Sequence, residues 1–230
     1  MALNVSELSI SQVRTTTYRL IPSCFPPINV LERVVSPAEF DILFEIESLT
    51  NNRLRDEVGD IALVPEEDRL FGQGTSLIMA PFTHPPVAGQ GGRFNPDFGV
   101  FSCAREFETA MEETRYHRLR FFLNFNSGPT RFDMRELVTD LNQELHTIRG
   151  RQKELADVYH PDDYSAGQAL GRSLKAAGSW GLEYDSVRTT GVCYAVFRPP
   201  ALSNCRQSRH FEYHFDGKII SHVFQKSEVK

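Results

Sequence analysis

The sequence predicts a single α+β domain over residues 1–230. Three observations carry this. One central segment has a clear 3.6-residue apolar period, while runs such as "HFEYHF" alternate with period two. The order is strand, helices, strands, helix, strands, which is not the regular alternation of a parallel βαβ sheet. A chain of 230 residues, 40% hydrophobic and with 17 Phe, can also bury a sizeable core.

Along the chain, "TTTYRLIPSCFPPINVLERVV" predicts a strand around Thr16–Ile21, stopped by prolines at 22, 26 and 27. "SPAEFDILFEIESLT" predicts a helix with Ser36 as N-cap, Pro37 in its first turn and Phe40, Leu43 and Phe44 on one stripe. "RDEVGDIALVPEEDRLFGQGTSLIMAPFTH" mixes short apolar runs with Gly and Pro, so strands and loops are expected there.

The clearest element is a helix from about Arg105 to Phe122. Phe107, Ala110, Met111, Thr114 and Arg118 follow its period, and Glu113 and His117 stand one turn apart on the flank of that stripe. A strand, "VFSCA", precedes it. "DMRELVTDLNQELHTIRGRQKEL" reads as a strand-like entry into a polar connection, and "HPDDYSAGQALGRSLKAAGSWGL" as a helix with Pro161 near its start and Gly178 just past its end. Then come the strands "GVCYAVFRPP", "HFEYHF" and "KIISHVF", the last two joined by a two-residue turn at Asp216-Gly217.

Thirty acidic against 25 basic residues leave a net charge of −5, unlike a general binder of nucleic acid or acidic membranes. The start, "MALNVSELSISQV", lacks the pattern of a signal peptide, and no apolar run approaches the roughly 20 residues that span a bilayer. Four cysteines (Cys24, Cys103, Cys193, Cys205) have neither CxxC spacing nor scaffold density. A soluble, cytoplasmic protein is expected.

Several chemistries fail on spacing. "GQGTS" and "GQGGR" are not followed by Lys-Ser/Thr, nor placed as GxGxxG between strand and helix, so flexible loops are expected. Cys193, Cys205, His210 and His214 imitate a zinc set, but the cysteines are too far apart and the histidines share the polar face of a strand. No metal is expected. There is no GxSxG elbow, and Cys103 sits in an apolar run as a core thiol.

What remains is arginine plus carboxylate: Arg19 on a strand, Arg93 on a glycine turn, Glu113 on the helix flank, and Ser186 after "WGLEYD". Guanidinium forks suit a pyrophosphate, and a carboxylate beside a ribose stabilises positive charge at the anomeric carbon. The same residue types also form ordinary surface ion pairs.

With "YRLIPSCFPPI", "GGRFN", "TAMEETRYHR", "YDSVRTTGVCYAVFRP" and "CRQSRHFEYHFDG", in this order over about residues 17–220, the chain resembles the RES-domain family of bacterial toxins. The resemblance implies an ADP-ribosyltransferase-like fold, NAD+ as substrate, and a covering Xre-type helix-turn-helix antitoxin. It places the family's arginines at Arg19 and Arg93, its glutamate at Glu113 and its serine at Ser186. Arg19 and Arg93 would clamp the pyrophosphate, Glu113 would stabilise the ribosyl cation and Ser186 would orient ribose or phosphate. Transfer of ADP-ribose to a protein is the expected reaction. Hydrolysis or phosphorolysis is the alternative, followed by a catalytically inactive NAD-site protein or a plain interaction module. Eleven residues before Glu113, where many relatives carry a tyrosine, stands Ser102; Phe101 beside it is left to supply a stacking ring.

Overall fold

The computed structural model describes residues 4–22, 59–86 and 91–227, so the helix expected from Ser36 lies outside the described residues. The α+β class holds. One mixed sheet contains β1 (Ser9–Pro22), β2 (Phe101–Ala104), β3 (Thr130–Thr147), β4 (Gly181–Asp185), β5 (Val192–Val196), β6 (Leu202–Phe215) and β7 (Ile220–Lys226). Among the described residues three α-helices accompany it: α1 (Thr75–Thr83), α2 (Phe107–Asn124) and α3 (Ser165–Ala176).

The strand order is β1-β2-β5-β4-β3-β6-β7, and β1 also pairs with β3, which closes the first five strands into a ring. The β1–β3 ladder is long and antiparallel, from Ser9 opposite Thr147 to Pro22 opposite Met134. By contrast β1 meets β2 only at Tyr18 and Ala104, and beyond that pair the two strands part. That parting creates an opening.

Side chains alternate between two apolar layers. Cys193 and Ala195 of β5 join one layer, with Ala110 of α2 and Leu170 and Leu174 of α3. Val192, Tyr194 and Val196 join the other, with Ile78, Met79 and Phe82 of α1. A strand buried on both faces has no polar alternation, as in "VCYAV". Helix α2 is pinned by rings near both ends: Phe107 stacks on Phe211 at 5.1 Å and Phe122 on Phe215 at 5.2 Å.

Four local expectations are corrected. Residues 75–83 form a helix, because Ile78, Met79 and Phe82 recur at helical spacing and are buried despite Pro81. The polar connection after "DMRELV" is more strand: β3 runs to Thr147, with Leu137, Leu141 and Leu145 all in the second layer. The β6–β7 turn is longer than two residues. It takes in Asp216–Ile219, and Asp216 Oδ1 accepts from the amides of Lys218 and Ile219 at 2.8 Å each. Finally, Pro161 lies outside α3, which starts at Ser165, whereas Gly178 sits just past its end at φ +72 as expected.

Candidate active site

Where β1 and β2 part, a recess of about 410 Å³ opens between the sheet, α2 and the segment around Arg93. Arg19, Arg93, Ser102, Glu113 and His117 line it. Its volume falls within the usual range for small-molecule sites, ~300–1,000 Å³.

Glu113 projects from the first half of α2 and is held from behind. Its Oε1 accepts from Ser186 Oγ at 2.6 Å and from the Val187 amide at 3.3 Å. Ser186 Oγ in turn accepts from the amides of Arg188 and Thr189, at 3.1 and 3.2 Å. One hydroxyl therefore shapes the turn after β4 and fixes the carboxylate. The second oxygen, Oε2, lies 3.9 Å from His117 Nε2. It keeps lone pairs for a ligand hydroxyl. The neighbouring Glu112 is engaged elsewhere, accepting from Arg115 at 3.5 Å, and it does not line the recess.

Two buried thiols stand beside this centre. Burial pushes the Cys103 thiol up to about 12 and that of Cys193 well above its ordinary value, so both are neutral packing groups. His117 lies at the rim, with the rings of Tyr116 and Tyr164 against it. Desolvation holds its imidazole below the ordinary value; Glu113 opposes the shift, while Arg188, Arg93 and Arg118 reinforce it.

Arg19 donates to the Ser102 carbonyl at 2.6 Å and lies over the Phe101 ring, 5.0 Å from its centroid. Phe101 itself is 0% exposed and belongs to the layer on the other side of the strand. The expectation that Phe101 supplies a stacking ring is therefore corrected. Ser102, Cys103 and Ala104 of β2 line the recess, and Phe101 does not. Phe101 acts beneath, as the surface on which Arg19 rests.

Arg93 has a different setting from the one its glycines suggested. A Cβ on Gly91 would meet the Asn95 carbonyl at 1.9 Å, and one on Gly92 would meet Asn95 Oδ1 at 2.6 Å. The glycines thus allow the turn to close on Asn95, whose Oδ1 accepts from the Gly92 amide at 2.9 Å. Two more glycines, on α3, let the chain lie directly on that helix: a Cβ on Gly167 would meet the Arg93 carbonyl at 2.6 Å, and one on Gly171 the Phe94 carbonyl at 2.1 Å. The guanidinium stacks on Tyr164 at 4.6 Å, and its Nη1 donates to the carbonyls of Val158 and His160 at 2.8 and 2.7 Å. Arg188 secures the same segment, donating to the Pro161 carbonyl and, at 3.2 Å, to the Tyr164 hydroxyl.

Tyr164 and Arg118 also line the recess, and neither has a role assigned from the sequence. Arg118 did leave a signal, because a cation stands on the otherwise apolar stripe of α2. Tyr164 left none beyond its place just before a helix. The imitation zinc set is dispersed: Cys205 accepts from Thr139, His210 pairs with Gln207, and His214 pairs with Glu212. Among the described residues no three His, Cys, Asp or Glu side chains gather as metal ligands, and no described helix is long and apolar enough to cross a membrane.

A family model, that of the RES domain, matches residues 67–216. The chain belongs to the RES-domain family. A curated relative, the uncharacterized protein y4oC of Sinorhizobium fredii (strain NBRC 101917 / NGR234), is 28% identical over 215 residues, covering 92% of this chain and 88% of that protein. Among solved structures, the M. tuberculosis MbcT–MbcA toxin–antitoxin complex contains a chain that is similar at a TM-score of 0.47 and 13% identity, over 93% of this chain and 90% of that one. The RES match takes in Arg93, Ser102, Glu113 and Ser186. Arg19 precedes it in the chain and reaches the RES recess through the β1–β3 ladder.

Proposed function

We propose that this RES-domain protein binds NAD+ in the recess, breaks the bond between nicotinamide and ribose, and transfers ADP-ribose to a protein, as the toxin of a toxin–antitoxin pair. One observation carries the proposal. A carboxylate fixed through one oxygen, Glu113, faces a recess that Arg19 and Arg93 also line. Carboxylate and cations on one recess match a ligand that is anionic at its diphosphate and gains positive charge at a ribose carbon.

In this reaction the C1′–N bond breaks and its electron pair leaves with neutral nicotinamide. The ribose gains oxocarbenium character beside Glu113. Glu113 Oε2 accepts a hydrogen bond from a ribose hydroxyl, and the negative carboxylate lowers the energy of the developing cation. Ser186 holds Glu113 in place from behind. Arg19, and the donors of Arg93 other than the Nη1 committed to Val158 and His160, bind phosphate oxygens. An acceptor nucleophile then adds to C1′ and releases its proton to solvent. The residues on the recess fit NAD+ by charge and donor set, and none of these roles calls for a metal.

The partner is an antitoxin covering the mouth of this recess, of the Xre helix-turn-helix type, and the site of action is the cytoplasm. The name of the MbcT–MbcA complex and the family's usual pairing support the partner. The test is a mass balance on NAD+, with wild type and Glu113→Gln incubated with and without phosphate and a cell lysate. Nicotinamide release by wild type alone is expected, with a loss of roughly 10²–10³ in rate for the variant, and label appearing on protein. ADP-ribose left free or phosphorylated would instead assign water or phosphate as acceptor. No nicotinamide under any condition would overturn the enzyme reading.

A further inference from the structure

Arg118 is the cation in the recess to which the role assignments above give no part. It projects from α2 one turn beyond Thr114, toward the end of β1 that carries Arg19. Its Nε is shielded from solvent and has no hydrogen-bond partner. Among the described residues no carboxylate pairs with its guanidinium, whose one aromatic neighbour is Phe121, 5.7 Å away. Desolvation lowers its pKa, and Arg118 in turn lowers that of Arg19, on which burial is the larger influence. Arg19 and Arg118 thus line one recess, both desolvated, and the charge of Arg118 disfavours that of Arg19. Such an arrangement costs stability unless an anion completes it.

Several other arginines have carboxylate partners, while Arg19, Arg93 and Arg188 donate to carbonyls. Arg198 forks onto Asp68 at 2.7 and 2.8 Å, and Arg209 onto Glu136 at 2.6 and 2.8 Å. Arg118 has no such partner among the described residues. A stem that merely covered apolar surface would carry its head out to water, whereas here the Nε is enclosed. Five residues separate Arg118 from Glu113, about 7.5 Å along the helix axis. That is comparable to the reach from an anomeric carbon through C5′ to the attached phosphate.

We infer that Arg118 is a further ligand-binding residue, which with Arg19 grips the diphosphate of the nucleotide while Glu113 addresses its ribose. The inference rests on the NAD+ reading for the whole ligand, but the anion site itself is independent of it. Arg93, already tied to the 158–164 segment, becomes the third and more structural of the cations.

The test is calorimetric titration of the full chain with ADP-ribose and, separately, with inorganic pyrophosphate. Wild type, Arg118→Met and Arg118→Lys are compared. Met keeps the apolar stem and removes the charge; Lys restores the charge without the fork. The expected result is a loss of roughly ten- to a hundredfold in affinity for both ligands in the Met variant, with partial recovery in the Lys variant and, without ligand, thermal unfolding of the Met variant at or above the wild-type midpoint. Wild-type affinity in Arg118→Met overturns the inference, as does a Lys variant no better than Met. Binding of pyrophosphate but not ADP-ribose, lost in Arg118→Met, would uphold the anion site and count against the NAD+ reading. Wild type binding neither ligand would overturn the site as well.

Discussion

At the scale of single residues, the site depends on groups whose work is to hold other groups. Ser186 is the clearest example, since its hydroxyl donates to Glu113 and accepts from two amides of the turn it begins. Each such bond contributes about 1 kcal/mol net. Ser186→Ala should lower kcat for nicotinamide release roughly tenfold with KM little changed, because the carboxylate loses its fixed orientation more than the ligand loses contacts. Ser186→Thr keeps the hydroxyl and should recover most of the rate. Equal rates in wild type and Ser186→Ala would show that Glu113 needs no such support. Arg19, Arg93, Ser102 and Glu113 were legible from the sequence as motif residues, and the structure brings all four to one recess. Phe101 was misassigned because facing direction on a four-residue strand depends on register, which adjacency in sequence does not reveal. Arg118 was visible as a cation on an apolar stripe, yet its lack of a carboxylate partner is a property of three dimensions.

At the scale of elements, helix α3 matters to the site although it contributes no motif residue. Gly167 and Gly171 stand one turn apart, and the backbone at Arg93 and Phe94 rests against them. Gly171→Ala would bring a methyl group within 2.1 Å of the Phe94 carbonyl, backbone against backbone, so the two elements must separate. A cost of about 1–3 kcal/mol is expected. Because Arg93 rides on the same segment, ADP-ribose binding should weaken alongside stability. Gly128→Ala is the matched control, with nothing within 4 Å of the added carbon. Thermal unfolding and calorimetry on both variants check this, and a Gly171→Ala protein as stable as wild type would show that the contact yields easily. Helix α2 and the end of α3 at Gly178 were readable because period and capping are local signals. Helix α1 and the second half of β3 were not. There, Pro81 and a run of polar side chains outweighed apolar spacings that only burial in the second layer makes decisive.

At the scale of the whole molecule, the ring closed by β1 and β3 joins residues more than a hundred positions apart, and no local pattern announces it. The recess exists because β1 holds to β3 along its length but to β2 at one pair alone. This closure also gathers Arg93, Arg118 and Arg188 around His117, with Glu113 on the other side and the rings of Tyr116 and Tyr164 against it. The folded imidazole is therefore held below its ordinary value of 6.5, mainly by desolvation, so the unfolded chain binds more protons there than the folded one. By linkage, stability should fall as pH drops through 6.5 toward the lower folded value. Burial shifts His146 in the same direction and adds to the fall. Glu136 acts in a lower window. Burial raises its pKa, but the Arg209 fork outweighs this, so its contribution is present above about 4.5 and disappears with further acid. A global effect opposes the histidines, because acidification toward the isoelectric point of 5.8 removes the net charge of −5 and with it some self-repulsion. His117→Asn separates the two, since it deletes one titration and leaves the net charge at neutral pH unchanged. Its unfolding midpoint should decline less than that of wild type between pH 7.5 and 5. Parallel curves would mean that His117 titrates alike in folded and unfolded chains, and that desolvation does not hold its imidazole down.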